Sequence, residues 1–211
     1  MRDLILFGVQ GCGKGTQSRI LAERGGYKVF ETGKELRALT ADASSELGQK
    51  IKGIIEVGNL VSDEVVIEIV ENFLQNIPAE QQVIFDGLPR KVTQKDLFEE
   101  VVARHGRQPL GVLIQISDEL ALQRLSGRHM SKATGKIYPS KEAALLECPA
   151  EDVYQRADDT PDAIKTRLKN YHTETQPVID WYQQQGRLVE VRGDQATEAV
   201  TEELINRISH G

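Results

Sequence analysis

The apolar run Leu4-Ile5-Leu6-Phe7 passes directly into Gly8-Val9-Gln10-Gly11-Cys12-Gly13-Lys14-Gly15-Thr16. The run reads as a buried strand, and the stretch from Lys14 to Glu23 reads as a helix. Between them the glycines let the backbone turn back on itself, so that several N–H groups point at one anion. The helix beginning near Lys14 aims the positive end of its dipole at the same place. Lys14 adds a mobile charge suited to the outer phosphates of a nucleotide. In the strict form of this loop Ser or Thr follows the lysine directly. Here Gly15 stands there and the hydroxyl arrives at Thr16, an offset that argues against direct Mg²⁺ ligation by that hydroxyl.

The chain has 211 residues, a length that suits one α/β domain carrying an insertion. Lys and Arg total 26 against 32 Asp and Glu, a net charge of −6. An acidic balance argues against general nucleic-acid binding, so phosphate-binding charge has to be concentrated in one cleft. The two cysteines, Cys12 and Cys148, make no disulfide framework and fit a reducing cytoplasm. A core strand begins by residue 4 with no signal peptide before it, and no apolar run has the length to span a membrane. A cytoplasmic protein without nucleic-acid or membrane partners is expected.

Further short apolar or β-branched runs occupy 27–30, 82–85, 111–116 and 187–191, each separated from the next by helix-like sequence. This alternation predicts an α/β fold, a five-stranded parallel sheet flanked by helices. A last helix is expected over 197–208, with Val200, Leu204, Ile205 and Ile208 on one stripe. Two stretches break the rhythm. Residues 32–61 form a helix-rich excursion before a helix starting near Asp63, and residues 127–159 form a polar, lysine-containing insertion that reads as a surface loop or a lid.

Six arginines carry more information than their number. Arg37 lies near the start of the first excursion. Arg90 ends Phe85-Asp86-Gly87-Leu88-Pro89-Arg90, directly after a strand. Arg124 and Arg128 stand where the polar insertion begins, Arg156 where it ends, and Arg167 lies 11 residues further on. That spacing is about three helical turns and allows Arg156 and Arg167 to share one face of a helix. Arginine suits phosphate because it offers a planar fork of donors and keeps its charge. Arg104, Arg107 and Arg207 read instead as solvated surface charges. Asp86, just beyond a buried strand, is placed as a Mg²⁺ partner, directly or through water, or else as a turn cap. Cys12 reads as a small residue tolerated in the loop, or as a thiol activated by Lys14 and the helix terminus. His172 is expected on a helix surface, and Trp181 and Tyr182 in or beside the core.

On these residues the chain resembles the adenylate kinases of the nucleoside monophosphate kinase family. The resemblance runs through residues 8–17, Thr32-Gly33, Arg37, residues 58–63, residues 85–90 with Gln94, residues 124–128 and Arg156-Ala157-Asp158-Asp159, and then through Arg167, Tyr171, Thr175, Pro177 and Gly193. It implies a single kinase domain over 1–211, with 32–61 as acceptor-binding subdomain and 127–159 as lid. It implies phosphoryl transfer from ATP, with Mg²⁺, to AMP, giving two ADP. Lys14, Arg90, Arg124, Arg128, Arg156 and Arg167 would be catalytic. ATP would meet Gly11, Cys12, Gly13, Lys14, Gly15, Thr16, Arg124, Arg128 and the backbone near Gln195. AMP would meet Thr32, Gly33, Arg37, Ile55, Asn59, Val61, Gly87, Arg90, Gln94, Arg156 and Arg167, with Asp86 holding Mg²⁺ through water.

The chain departs from the family pattern in three places. Gln10 replaces a proline of the loop. Lys34 stands where an aspartate orders the water shell of Mg²⁺. The insertion lacks paired Cys-x-x-Cys ligands, with Ser131 and Thr134 near the first pair, so His129 and Cys148 are too few for structural zinc. A lid held by polar hydrogen bonds without zinc is expected. UMP, CMP or GMP remains open as acceptor, as does a regulator that binds nucleotide without catalysis. The complete set of site residues in one acidic chain favours a monomer.

Overall fold

A computed structural model of the chain describes residues 2–41, 44, 48–49, 51–52, 61–156 and 159–210, the side chains of 37 and 210 aside. Its centre is a parallel sheet of β1 (Leu4–Phe7), β2 (Lys28–Glu31), β3 (Val83–Asp86), β4 (Leu110–Gln115) and β8 (Leu188–Arg192), in the order β2-β3-β1-β4-β8. The strands lie within a residue of the ranges expected from sequence. β1 is buried at every position, as a strand with helices on both faces must be. The chain leaves β1 toward one edge and later crosses to the other side, so the strand order reverses at β1. Loops diverge there and open a crevice at the carboxyl ends of the strands.

The helices are α1 (Lys14–Gly25), α2 (Thr32–Ala41), α3 (Asp63–Gln75), α4 (Val92–Arg104), α5 (Asp118–Gly127), α6 (Lys141–Leu145), α7 (Pro161–Asn170), α8 (Gln176–Gln184) and α9 (Thr197–His210). A π-helical turn, Tyr171–Thr175, links α7 to α8. Ser62, Ser117, Ser140 and Thr160 cap α3, α5, α6 and α7 by accepting a first-turn N–H. The core runs through the sheet into both helical layers. Phe85 of β3 packs edge-on against Phe98 of α4 at 4.9 Å between ring centroids, and Phe30 of β2 packs edge-on against Phe73 of α3 at 5.0 Å. α9 runs two residues past the expected end, with Val200 and Leu204 in the core as expected and Ile205 exposed.

The polar insertion folds into a small antiparallel sheet, with β5 (His129–Ser131) between β6 (Ile137–Tyr138) and β7 (Val153–Tyr154). Asp152 is its hub. It accepts from the Ser131 hydroxyl at 2.5 Å and from the Ala133 N–H at 2.7 Å, and its carbonyl accepts the Lys132 N–H at 2.9 Å. The Ser131 hydroxyl in turn accepts the Thr134 N–H at 3.1 Å. The Tyr138 hydroxyl lies 3.2 Å from the Cys148 sulfur.

Two expectations need correction. Arg156 and Arg167 do not share a helix. Thr160 caps α7 and Pro161 opens it, leaving Arg156 in the segment before the helix. Arg107 is no surface charge. Its guanidinium donates to Asp3 at 2.9 and 3.1 Å and to the carbonyls of Gln81, Pro78 and Ala79, and the two side chains are only 7% and 6% exposed. Asp3 also accepts the Val83 N–H at 2.8 Å, while its carbonyl accepts from Leu110. This pair therefore ties together the starts of β1, β3 and β4. Arg104 and Arg207 are exposed, as expected. Tyr182 is fully buried, and Trp181 is half-buried beneath the Lys95 ammonium, 4.2 Å from the ring.

Removing one partner of a buried ion pair leaves the other charge uncompensated. Arg107→Met should therefore cost about 3–5 kcal/mol of stability and lower the Tm by roughly 6–20 °C. Adding Asp3→Asn, which keeps the acceptor for Val83 but removes the charge, should restore part of the loss in thermal melts.

Candidate active site

The loop between β1 and α1 owes its shape to three glycines with positive φ: Gly8 at 140°, Gly11 at 88° and Gly13 at 107°. A side chain at Gly8 would collide with the Ile114 carbonyl at 2.5 Å and the Cys12 sulfur at 2.6 Å. Cys12 is thus packed under the loop, in keeping with its reading as a small tolerated residue. A Cβ at Gly13 or Gly15 would meet nothing within 4 Å, so these positions face open space. The Lys14 ammonium folds back to donate to the Gly8 and Val9 carbonyls at 2.6 and 3.2 Å.

In front of the loop lies a cleft of about 560 Å³, lined by Gln10, Gly11, Cys12, Gly13, Lys14, Gly15, Thr16, Asp86, Arg124, Arg128, Arg156, Gly193 and Gln195. Residues from all parts of the chain meet here. Gly193 has no room for a side chain, since a Cβ would lie 2.7 Å from Ile114 and 3.1 Å from the Cys12 carbonyl. The end of β8 therefore presses on the loop. Across the cleft, Arg124 donates to the Gly11 carbonyl at 3.3 Å.

Two of the arginines are held in place by one carboxylate of the chain itself. Arg128 grips Asp159 through two bonds of 2.7 and 2.8 Å, and Arg167 donates to the same carboxylate at 3.0 Å. The Asp159 side chain is fully buried, so it fixes both guanidiniums at the base of the polar insertion. Asp86 ends β3 beside Glu31 of β2, its partner in register. Burial raises the pKa of Asp86 above the usual carboxylate range. Lys14 and Arg90 pull it down, and Glu31 adds to the rise. Glu31 was not singled out from sequence, where it reads only as a strand-end charge. The Lys34 side chain is exposed on α2.

Arg90 belongs to a second cluster beside the cleft. Gly87, with φ 88°, leaves room for the Arg90 side chain to fold over it, and the Arg90 Nε donates to the Gly87 carbonyl at 2.5 Å. The Arg90 carbonyl accepts from the Thr175 hydroxyl of the π-helical turn at 3.0 Å. Burial lowers the Arg90 pKa, Asp86 raises it, and the charge of Arg156 pushes it down again. Arg90 therefore senses both Asp86 and Arg156. Gln94 is buried and bonded to Arg90 and Asp63. The Thr32 hydroxyl, at the start of α2, is buried without a hydrogen-bond partner among the described residues, as is Oε1 of Gln10. Gly33 follows Thr32 on α2, and Val61 is half-buried against the core. Ile55, Asn59 and the side chain of Arg37 lie outside the described residues.

This is an α/β nucleotide-phosphate site, a glycine loop on a parallel sheet faced by a ring of cations. The family model for adenylate kinase matches residues 6–187. The chain is 36% identical over 203 residues to an adenylate kinase of Fusobacterium nucleatum, covering 96% of each chain. It is 37% identical over 212 residues to one of Caldicellulosiruptor bescii, covering 97% of this chain and 98% of the relative. It is 38% identical over 199 residues to one of Shouchella clausii, covering 92% and 91%. The chain belongs to the adenylate kinase family.

Because burial raises the Asp86 pKa, its ionised form costs free energy in the folded, nucleotide-free protein at neutral pH. Asp86→Asn should raise the Tm at pH 7, by roughly 2–4 °C for each kcal/mol relieved. The gain should shrink as the pH falls through the raised folded-state value and be gone below the ordinary value of 3.8, where the carboxyl is neutral in the folded and the unfolded chain alike. Melting curves across pH check both the sign and the fading.

Proposed function

We propose that the chain catalyses reversible transfer of the terminal phosphoryl group of ATP to AMP, giving two ADP, with Mg²⁺ accompanying ATP. The observation that carries the reading is the convergence of Lys14, Arg124, Arg128, Arg156 and Asp86 on one cleft in front of the glycine loop. Phosphoryl transfer asks mainly for alignment, charge stabilisation and exclusion of water, which such a ring provides. It needs no covalent intermediate, and the acceptor phosphate is already ionised near pH 7.

In this reading the loop N–H groups from Gly11 to Thr16 cradle the donor phosphates. Lys14 leaves its carbonyl partners to follow the moving phosphoryl group. Arg124, Arg128, Arg156 and Arg167 neutralise charge around it. The backbone near Gln195 meets the donor base. Arg90 and Arg37 hold the acceptor phosphate, while Thr32, Gly33, Ile55, Asn59, Val61, Gly87 and Gln94 surround the acceptor nucleoside. Asp86 suits Mg²⁺ through water, since one or two carboxylates beside a phosphate site match an ion that keeps most of its waters, and Glu31 stands beside Asp86 in register. Bound with ATP, the ion offsets phosphate charge. Residues 32–61 act as acceptor-binding subdomain and 127–159 as a lid that excludes water, its fold resting on Asp152, Ser131 and Thr134 without zinc. No helix among the described residues is long and apolar enough to cross a membrane. With the whole ring supplied by one chain, we place the enzyme in the cytoplasm as a monomer.

The test is a coupled assay of ADP formation from ATP and AMP, with and without Mg²⁺. Lys14→Met should lower turnover at least ~10²-fold with the fold retained. Near-normal turnover would remove the loop from the chemistry. Arg90→Ala should weaken AMP at least ~10-fold, and much more than it weakens ATP. Calorimetry showing equal losses for both nucleotides would reassign Arg90.

A further inference from the structure

Gln94 sits at the centre of a hydrogen-bond chain that phosphoryl transfer does not require. Its Oε1 accepts the Arg90 N–H at 2.7 Å, and its Nε2 donates to Oδ1 of Asp63 at 3.2 Å. The other Asp63 oxygen accepts from the Thr93 hydroxyl at 2.9 Å. A backbone N–H only donates and an ionised carboxylate only accepts. These two partners therefore dictate which end of the carboxamide is oxygen and which is nitrogen, and a turned-over side chain would face two repulsive contacts.

A carboxamide has two acceptor sites and two donor hydrogens. One of each is used, so one acceptor and one donor remain. That pair complements adenine, whose amino group donates and whose adjacent ring nitrogen accepts. Guanine presents the reverse, an accepting oxygen beside a donating ring N–H, and would need Gln94 turned over. We propose that Asp63 is a specificity-determining positioning residue: by holding Gln94 in one orientation, it makes the acceptor site prefer adenine over guanine. The inference rests on the reading of Gln94 as a contact to the acceptor base.

Asp63 lies in the first turn of α3, and its carboxylate reaches across to the first turn of α4. Asp63→Ala frees Gln94 without touching the core. With ATP as donor, the AMP-over-GMP ratio of kcat/KM should fall about tenfold or more. The fall should come mainly through the KM for AMP, with the KM for ATP nearly unchanged. Asp63→Asn retains an oxygen acceptor and should keep most of the ratio. A merely structural role for Asp63 would lower activity with both acceptors alike, and an unchanged ratio in Asp63→Ala overturns the proposal. If the wild-type protein shows no preference for AMP, the reading of Gln94 as a base contact falls with it. A wild-type preference that survives Asp63→Ala removes only the orienting role. A second measurement needs no variant. In ¹⁵N NMR of the nucleotide-free protein, one side-chain amide proton of Gln94 should exchange slowly with solvent. Fast exchange of both protons overturns the proposal.

Discussion

The left-handed backbone at Gly8, Gly11 and Gly13 is the constraint from which the site follows. Only glycine takes these angles without strain, and at Gly8 only glycine fits beneath the Ile114 carbonyl. Given those angles, a strand buried on both faces turns within a few residues into a helix whose free N–H groups face the crevice. The crevice lies there because the strand order reverses at β1. The loop, the dipole of α1 and the gap between diverging loops thus coincide for reasons of backbone geometry. The charged side chains are then placed around a point already fixed.

A chain of net charge −6 nonetheless gathers a positive cleft. It does so by spending buried carboxylates on positioning. Asp159 holds Arg128 and Arg167, and Asp86 interacts with Lys14 and Arg90. Asp159 fixes the two guanidiniums it holds, which is the preorganisation that a phosphate-binding site draws on. The raised pKa of Asp86 is the reverse side of this arrangement, a carboxylate kept where its charge is costly.

How much of this was legible in the sequence depends on how far each partner lies along the chain. The glycine loop, the strands and the strand-end positions of Asp86 and Arg90 are local patterns, and they stand where the sequence puts them to within a residue. The absence of paired thiolates in the insertion likewise pointed to a segment stitched by hydrogen bonds, and Asp152 with Ser131 provides such bonds. Arg107 failed because its environment is set by Asp3, 104 residues away. No local pattern separates a buried arginine from a solvated one. The helix expected to join Arg156 to Arg167 failed because a spacing of 11 residues says nothing of Thr160 and Pro161, which start α7 between them. Asp63 carried no signal as a partner of Gln94. Their contact spans 31 residues and exists only once α3 packs on α4.

The last helix enters the cleft's construction as firmly as the first. Gln17 of α1 donates to the Thr197 carbonyl at 3.2 Å and accepts from the Thr201 hydroxyl of α9 at 2.8 Å, and Gly193 closes against the loop. The floor of the glycine loop is thus built by residues 180 and 184 positions further along the chain. A substitution at Gly193 or Thr201, far from the loop in sequence, acts directly on the loop's shape.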